Sequence, residues 1–137
     1  MKKITKKCLT IFTTALMVSS IGCITVFAAK KNYSFSVRTD ENSGVAFSAS
    51  NPKDDDEQTA YIHTTSGNII NSDIFYMAVY SWPQYDNSNR VSYWKQITSN
   101  NGSFTTNYYT NRPAGSPNYL CGDTDKYSVS VEGYWYS

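Results

Sequence analysis

The last ten residues before the final serine, 127–136, alternate between two kinds of side chain. One side carries mostly apolar residues, namely Tyr127, Val129, Val131 and Trp135, with Gly133 among them. The other side carries Ser128, Ser130, Glu132, Tyr134 and Tyr136. Alternation at every second position predicts a β-strand with one face in a core and one face in water. Near the other end of the chain, Tyr33-Ser-Phe-Ser-Val37 nearly repeats Tyr127-Ser-Val-Ser-Val131.

Between these two motifs the chain reads as short strands separated by turns, with no helical pattern. The predicted strands cover residues 33–38, 45–49, 59–65, 74–82, 91–98, 104–110, 119–121 and 127–136. Residues 74–82 are hydrophobic on both sides, which is typical of a central strand covered on both faces. Asn101-Gly102 predicts a hairpin between residues 91–98 and 104–110, and residues 122–125 predict a turn.

Seven or eight short strands with regular turns predict an all-β fold, a single antiparallel β-sandwich. A barrel is the less favoured arrangement, because nothing in the sequence marks the bends that closure needs. Residues 51–57 combine a proline with four consecutive acidic side chains, and therefore predict a solvated loop.

The first 28 residues have the organisation of a signal peptide. A basic segment, residues 1–7, precedes an uncharged and mostly apolar run, residues 8–27. Val26-Phe27-Ala28 then predicts cleavage after Ala28, leaving residues 29–137 as one secreted domain. A retained membrane anchor and a lipid anchor at Cys23 are the alternatives. Both are less favoured, because six Ser and Thr residues dilute the apolar run and the run continues past Cys23. We therefore expect an extracellular protein without a stable membrane anchor.

Removal of the signal peptide changes the charge and the cysteine content. Eight of the 12 basic residues remain against 11 acidic ones, so the net charge moves from +1 to about −3. This balance gives no support for binding nucleic acid or an anionic membrane. Only Cys121 remains, so no intramolecular disulfide can form and stability must come from the core. All 12 tyrosines and all three tryptophans lie in residues 29–137, which predicts an aromatic-rich core.

Candidate catalytic and metal-binding residues are few. His63 is the only histidine, and its position in a predicted strand favours an ordinary strand residue over a Ser-His-Asp site. Cys121 is interpreted as a buried small hydrophobe or a site for pairing with another chain, rather than a nucleophile. The acidic residues in 54–57 and 123–125 could bind calcium, but solvated turns are favoured because neither has EF-hand spacing. We therefore predict no catalytic residue, no metal and no cofactor.

The aromatic residues are the main candidates for binding. If Phe75, Met77 and Val79 face the core, other aromatic side chains lie on the opposite face. The predicted binding residues of this aromatic strip are Tyr76, Tyr80, Trp82, Trp94 and Tyr134. An exposed strip can stack on sugar rings, lie at a membrane interface or bind a peptide. The favoured alternative is that a loop covers this face, since tyrosine is also common in ordinary cross-strand pairs.

Several of these features together resemble a family of small exported proteins of Gram-positive bacteria, to which no activity is assigned. They are the basic segment and apolar run of the signal, residues 33–37, Arg90-Val-Ser92 and residues 127–135. The chain is also similar to secreted β-sandwich bacteriocins of the lactococcin type, which are tyrosine-rich single domains but richer in Gly and His. Neither resemblance supplies site residues.

Two functions follow as expectations. The first is a secreted, non-enzymatic interaction module that acts at the cell envelope or on a partner protein through an aromatic strand face. The alternative is a bacteriocin-like toxin that acts on competing bacteria. An enzyme is a distant third.

Overall fold

The computed structural model describes residues 29–69, 75–124 and 127–137. The predicted signal peptide with its cleavage site at Ala28 lies outside the described residues, as do Ile74 and Asp125. The strands are β1 (Lys31–Val37), β2 (Val45–Phe47), β3 (Thr59–Gly67), β4 (Phe75–Tyr80), β5 (Lys95–Gln96), β6 (Gly102–Asn107), β7 (Tyr119–Thr124) and β8 (Val129–Tyr136). A short 3-10 turn, Asn42–Gly44, precedes β2. Within the described ranges, no helix has the length and apolar character needed to cross a membrane.

The eight strands form two four-stranded antiparallel sheets. One sheet has the order β1-β8-β3-β6 and the other β2-β7-β4-β5. Alternate side chains of both sheets meet in one core, and the sheets do not close into a barrel. The prediction of an all-β antiparallel fold is therefore confirmed, whereas the signal peptide before it stays a prediction.

The two sequence motifs at the ends of the domain pair with each other. In the β1–β8 register, Phe35 lies opposite Val131 and Val37 opposite Val129. Val129, Val131 and Trp135 are buried, while Ser130 and Glu132 are exposed, as the alternation predicts. Tyr127 is an exception: it precedes β8 and is 43% exposed, so it does not share the buried face. The alternation of buried and exposed side chains applies only to residues within the paired strand.

Gly133 lets β8 approach its neighbours very closely. A Cβ atom built on Gly133 would lie 1.9 Å from the carbonyl oxygen of His63 and 2.7 Å from the hydroxyl of Tyr33. The Tyr33 hydroxyl donates a hydrogen bond to that same carbonyl, at 3.2 Å. The β3–β8 register shifts just beyond this point, between Thr64 and Ser66. A glycine in a strand interior commonly marks such a close backbone approach.

Trp135 is the largest fully buried side chain, and it packs between the sheets. Its indole Nε1 has no hydrogen-bond partner among the described residues, so its burial rests on apolar packing. Phe75, Met77 and Val79 of β4 enter the same core from the opposite sheet. Ala60 and Ile62 of β3 do so beside β8, as their alternation predicts.

The predicted strand 91–98 and its hairpin are only partly present. The two predicted partners, residues 91–98 and 104–110, meet in one isolated antiparallel bridge between Ser92 and Tyr108. Only Lys95–Gln96 is a strand, and it pairs with β4, whereas β6 pairs with β3 in the other sheet. Asn101 therefore lies at the end of a crossover between the sheets, and Gly102 begins β6. The Thr64 hydroxyl donates to the carbonyl of Ser99 and accepts from the amide of Gly102, at 2.8 and 2.9 Å. Burial of Ile97 and these bonds override the local hairpin preference.

The predicted turn at residues 122–125 is also wrong for its described part, because β7 continues to Thr124. Gly122 is needed in the strand for packing rather than for a turn. A Cβ atom there would lie 2.9 Å from the rings of both Phe35 and Phe75. The glycine lets two phenylalanine rings from opposite sheets lie against the β7 backbone.

The loop at residues 51–57 is only partly solvated, which corrects a second expectation. Asn51 and Lys53 are each 2% exposed. The Asn51 amide donates to the carbonyls of Ala29 and Trp135, at 3.1 and 3.4 Å. The Lys53 ammonium donates to the carbonyl of Glu57 and lies 5.0 Å from the ring of Tyr108. Buried polar groups are tolerated here because they are hydrogen-bonded.

Substitution of Trp135 should show that β8 carries the core. Trp135→Ala is expected to lower the free energy of unfolding by about 3–5 kcal/mol, because it removes a large buried side chain and leaves a cavity. Glu132→Ala, on the exposed face of the same strand, should stay within about 0.5 kcal/mol of the wild type. Urea denaturation of both variants measures the difference. Equal stabilities would show that the faces of β8 are assigned wrongly.

Candidate functional site

The five predicted binding residues do not form one strip. Tyr76 and Tyr80 lie on the outer face of the β2-β7-β4-β5 sheet, where Trp94 packs, and Trp82 follows β4. Tyr134 lies in β8, which belongs to the other sheet. The strip prediction assumed that residues of the same phase in neighbouring strands share a face. The topology instead separates β8 from β4 by the whole core.

Tyr80, one of the five predicted binding residues, is buried. It is 1% exposed and lies in a second, smaller cluster with Val45, Ala78 and Cys121. Its ring lies 6.2 Å from that of Tyr85 and 6.1 Å from that of Trp94. For this residue the alternative is correct: the loop after β4 and the segment before β5 cover the sheet. Small residues make room for the rings, since Ala78 and Cys121 are register partners.

A side-chain hydrogen bond links the covering loop to β7. The Tyr85 hydroxyl donates to Oδ2 of Asp123, at 2.5 Å. Asp123 is the register partner of Tyr76, so its side chain shares the outer face with that ring. Burial, and then the bond to Asp123, raise the pKa of Tyr85 to about 12. Tyr85 therefore stays a neutral donor to the carboxylate at physiological pH.

A cation links further rings beside this loop. The Arg90 guanidinium carbon lies 5.6 Å from the ring centre of Trp94 and 5.9 Å from that of Tyr109. Arg90 Nε also donates to the Tyr109 hydroxyl at 3.4 Å, and that hydroxyl donates to the Arg90 carbonyl. The ring of Tyr93 lies 5.4 Å from that of Tyr109, at an interplanar angle of 68°. Cation–π and edge-to-face contacts of this kind hold rings in defined orientations.

A second pair of rings lies near Tyr80, on the β7 side. Trp82 and Tyr119 contact each other at 6.4 Å, and Tyr119 is the register partner of Tyr80. On its other side, Tyr80 pairs with Arg90. The buried Tyr80 thus lies beneath a surface that we call the aromatic platform, formed by Trp82, Tyr85, Tyr93, Trp94, Tyr109 and Tyr119 and linked by Arg90.

Much of the platform is open to solvent. Tyr93 is 62% exposed, Trp82 59%, Tyr85 51% and Tyr109 41%. Trp82 and Trp94 were predicted as binding residues, but Tyr85, Tyr93 and Tyr109 were missed. They lie in irregular segments, and no periodicity predicts which way their side chains point. The nearest sequence motif is Arg90-Val-Ser92, which directly precedes Tyr93 but does not predict where these rings lie.

Each residue of that short motif has a structural role. Val91 is buried in the main core. Ser92 is also buried; its hydroxyl accepts a hydrogen bond from the amide of Val79 at 2.8 Å and donates to the carbonyl of Tyr93 at 3.1 Å. The motif therefore fixes the segment against β4 and turns Arg90 outward, between two rings of the platform.

The candidate catalytic residues lie away from the platform surface. His63 is half-buried in β3, stacked on Tyr134 at 4.6 Å, and its Nδ1 lies 2.9 Å from the Ser103 hydroxyl. Lys30 completes this group, with its ammonium 3.9 Å from the Tyr134 ring centre. Cys121 is fully buried, and burial raises the pKa of its thiol, which keeps it protonated.

In the acidic turn at residues 54–57, carboxylates accept hydrogen bonds from backbone amides. Asp55 Oδ1 accepts from the amide of Glu57, and Asp56 Oδ1 from the amide of Ala114, at 2.9 and 2.8 Å. Among the described residues, no group of three or more His, Cys, Asp or Glu side chains is placed to hold a metal ion. Asp125, part of the second acidic turn, lies outside those residues.

No protein-family model matches the chain, and no curated protein or solved structure matches it. The two resemblances drawn from sequence motifs therefore stay predictions, and the platform has to be interpreted from its own geometry.

Alkaline unfolding should report the bond between Tyr85 and Asp123. The folded-state pKa of Tyr85 lies above its ordinary value of 10.0, so the stabilisation is complete below pH 10 and is lost as the pH rises through about 12. Tyr85→Phe should be less stable than the wild type near neutral pH, and the difference should shrink over that window. Urea denaturation midpoints of both proteins, measured across this pH range, test the expectation. A difference that stays constant would contradict it.

Proposed function

We propose that the protein is an exported, non-enzymatic interaction module that binds a component of the cell envelope, or a partner protein, through the aromatic platform. The observation that carries this proposal is the exposure of Tyr93, Trp82, Tyr85 and Tyr109, which all belong to segments beside one sheet. Large exposed rings in one patch are typical of recognition surfaces, where Trp, Tyr and Arg supply most of the binding energy.

The order of the platform supports the same conclusion. Its rings are fixed by the Tyr85–Asp123 hydrogen bond and by Arg90 between Trp94 and Tyr109. A surface that is already ordered loses little conformational entropy when it binds. Flexible exposed tyrosines without such contacts would offer no comparable advantage.

Export is supported by the sequence. The basic segment 1–7, the apolar run 8–27 and the site at Ala28 have the organisation of a cleavable signal. A domain with a single cysteine, buried in the folded chain, is also compatible with an oxidising environment, because its thiol is shielded from oxidants.

A non-enzymatic role is supported by the positions of the two reactive side chains. Cys121 is protonated and buried beneath the platform. His63 lies on the outer face of the opposite sheet, stacked on Tyr134. Neither side chain can reach a ligand bound on the platform.

The test compares platform variants with a matched control. Trp82→Ala and Tyr93→Ala remove exposed rings, so each should leave the unfolding midpoint nearly unchanged. The double variant should lose most binding to Gram-positive cell envelopes in a sedimentation assay, since each contact of this kind contributes about 0.5–1.5 kcal/mol. Tyr61→Ala, which removes an exposed tyrosine from the other sheet, should bind as the wild type does.

Acrylamide quenching of tryptophan fluorescence checks the exposure on which the proposal depends. The fluorescence removed by Trp82→Ala should be the readily quenched part, because Trp82 is 59% exposed and Trp135 is fully buried. Folded variants that bind envelopes as well as the wild type would remove the platform as the binding surface.

A further inference from the structure

We propose that the ligand of the aromatic platform is a glycan chain whose pyranose rings lie along it. This inference rests on the proposed function and names its ligand class. A pyranose ring presents an apolar C–H face, which stacks on an aromatic ring, and a rim of hydroxyl groups, which need hydrogen-bond partners. A site for it must combine exposed rings with polar groups between them.

The platform has this alternation of aromatic and polar groups. A small cleft on it is lined by Tyr76, Trp94 and Asp123, which brings a carboxylate beside an indole. Asp123 uses Oδ2 for the Tyr85 hydroxyl, and a carboxylate has acceptor capacity for several further donors. The Arg90 guanidinium supplies donors between the rings of Trp94 and Tyr109. A wholly apolar ligand such as a lipid chain would desolvate these polar groups and offer no partner to their remaining donors and acceptors.

A peptide that adds as a β-strand fits this place less well. Strand addition needs a free row of backbone groups. In the segment that carries the platform, the amide of Tyr93 already donates to the carbonyl of Asn107, at 3.1 Å. The amide of Tyr109 likewise donates to the carbonyl of Val91, at 3.0 Å. The side chains, rather than the backbone, are what this surface offers.

The platform also has the length of a short oligosaccharide. Tyr119, Tyr80, Arg90 and the segment at Tyr108–Tyr109 lie on successive neighbouring stretches of backbone. Neighbouring backbones in a sheet lie about 4.7–4.9 Å apart, so the first and the fourth of these stretches are about 14 Å apart. Trp82 and Tyr93 extend the surface at its two ends. A chain of about three sugar units can therefore contact rings along its whole length.

The charge of the platform favours a neutral glycan. Arg90 and Asp123 carry opposite charges, and the cation is already placed between Trp94 and Tyr109. A surface for a polyanionic polymer would instead present several unpaired cations. Stacking and hydrogen bonding, rather than ion pairing, should then account for most of the affinity.

Titration with soluble oligosaccharides tests the proposal. The panel contains three series of one to six sugar units: β-1,4-linked glucose, β-1,4-linked N-acetylglucosamine, and mannose. Binding is followed by tryptophan fluorescence. Displacement of the protein from envelopes is the second readout. At least one series should bind, with an affinity that rises up to about three units and then levels off. Trp82→Ala and Tyr93→Ala should each weaken that binding roughly five- to tenfold. Tyr61→Ala should not change it.

Two outcomes would overturn the inference. One is that no oligosaccharide of the panel binds at millimolar concentration or displaces the protein. The other is that oligosaccharide binding is the same in the wild type and both platform variants. If the variants nevertheless lose binding to envelopes, the proposed interaction function stands and only the glycan is excluded. If envelope binding is also unaffected, both proposals fall together.

Discussion

The position of β8 between β1 and β3 is the constraint on which the rest of the structure depends. β8 pairs along its length with both neighbours, so the C-terminal strand lies in the interior of its sheet. Gly133 is what permits the approach to β3, because any side chain there would meet the carbonyl of His63. Trp135, two residues later, then fills the space between the sheets. One strand thus joins the two ends of the domain and supplies its largest buried ring.

The second sheet explains why the proposed binding surface consists mostly of loop residues. β4 has two outward tyrosines. Tyr76 is only partly buried, whereas Tyr80 is fully buried and supports the rings above it. The rings that remain exposed come from the segment after β4 and from residues around Arg90 and Tyr109. A rigid sheet that positions side chains from irregular segments is a common arrangement for binding sites. Here the second core, with Cys121 and Ala78, is the base on which those rings lie.

The sequence predicts the fold better than it predicts the site, for a physical reason. Alternation identifies the faces of β1, β3 and β8 because each has one face in the core and one in water. Local turn preference is less reliable. At Asn101-Gly102, burial of Ile97 and hydrogen bonds to Thr64 lead the chain into the other sheet instead of a hairpin. Turn preference also fails at Gly122, whose flexibility suggests a turn but whose missing side chain admits two phenylalanine rings. The platform residues Tyr85, Tyr93 and Tyr109 follow no period, so only tertiary contacts reveal them.

Native-state hydrogen exchange tests the central role of β8 most directly. If β8 organises the domain, the amides of Val131 and of its β1 partner Phe35 should exchange only through global unfolding, with the free energy that denaturation gives. Amides of β2, a three-residue edge strand of the other sheet, should exchange at lower free energy through local opening. The account would be contradicted if the β8 amides exchanged as readily as those of β2, or if β8 opened while the other sheet stayed protected.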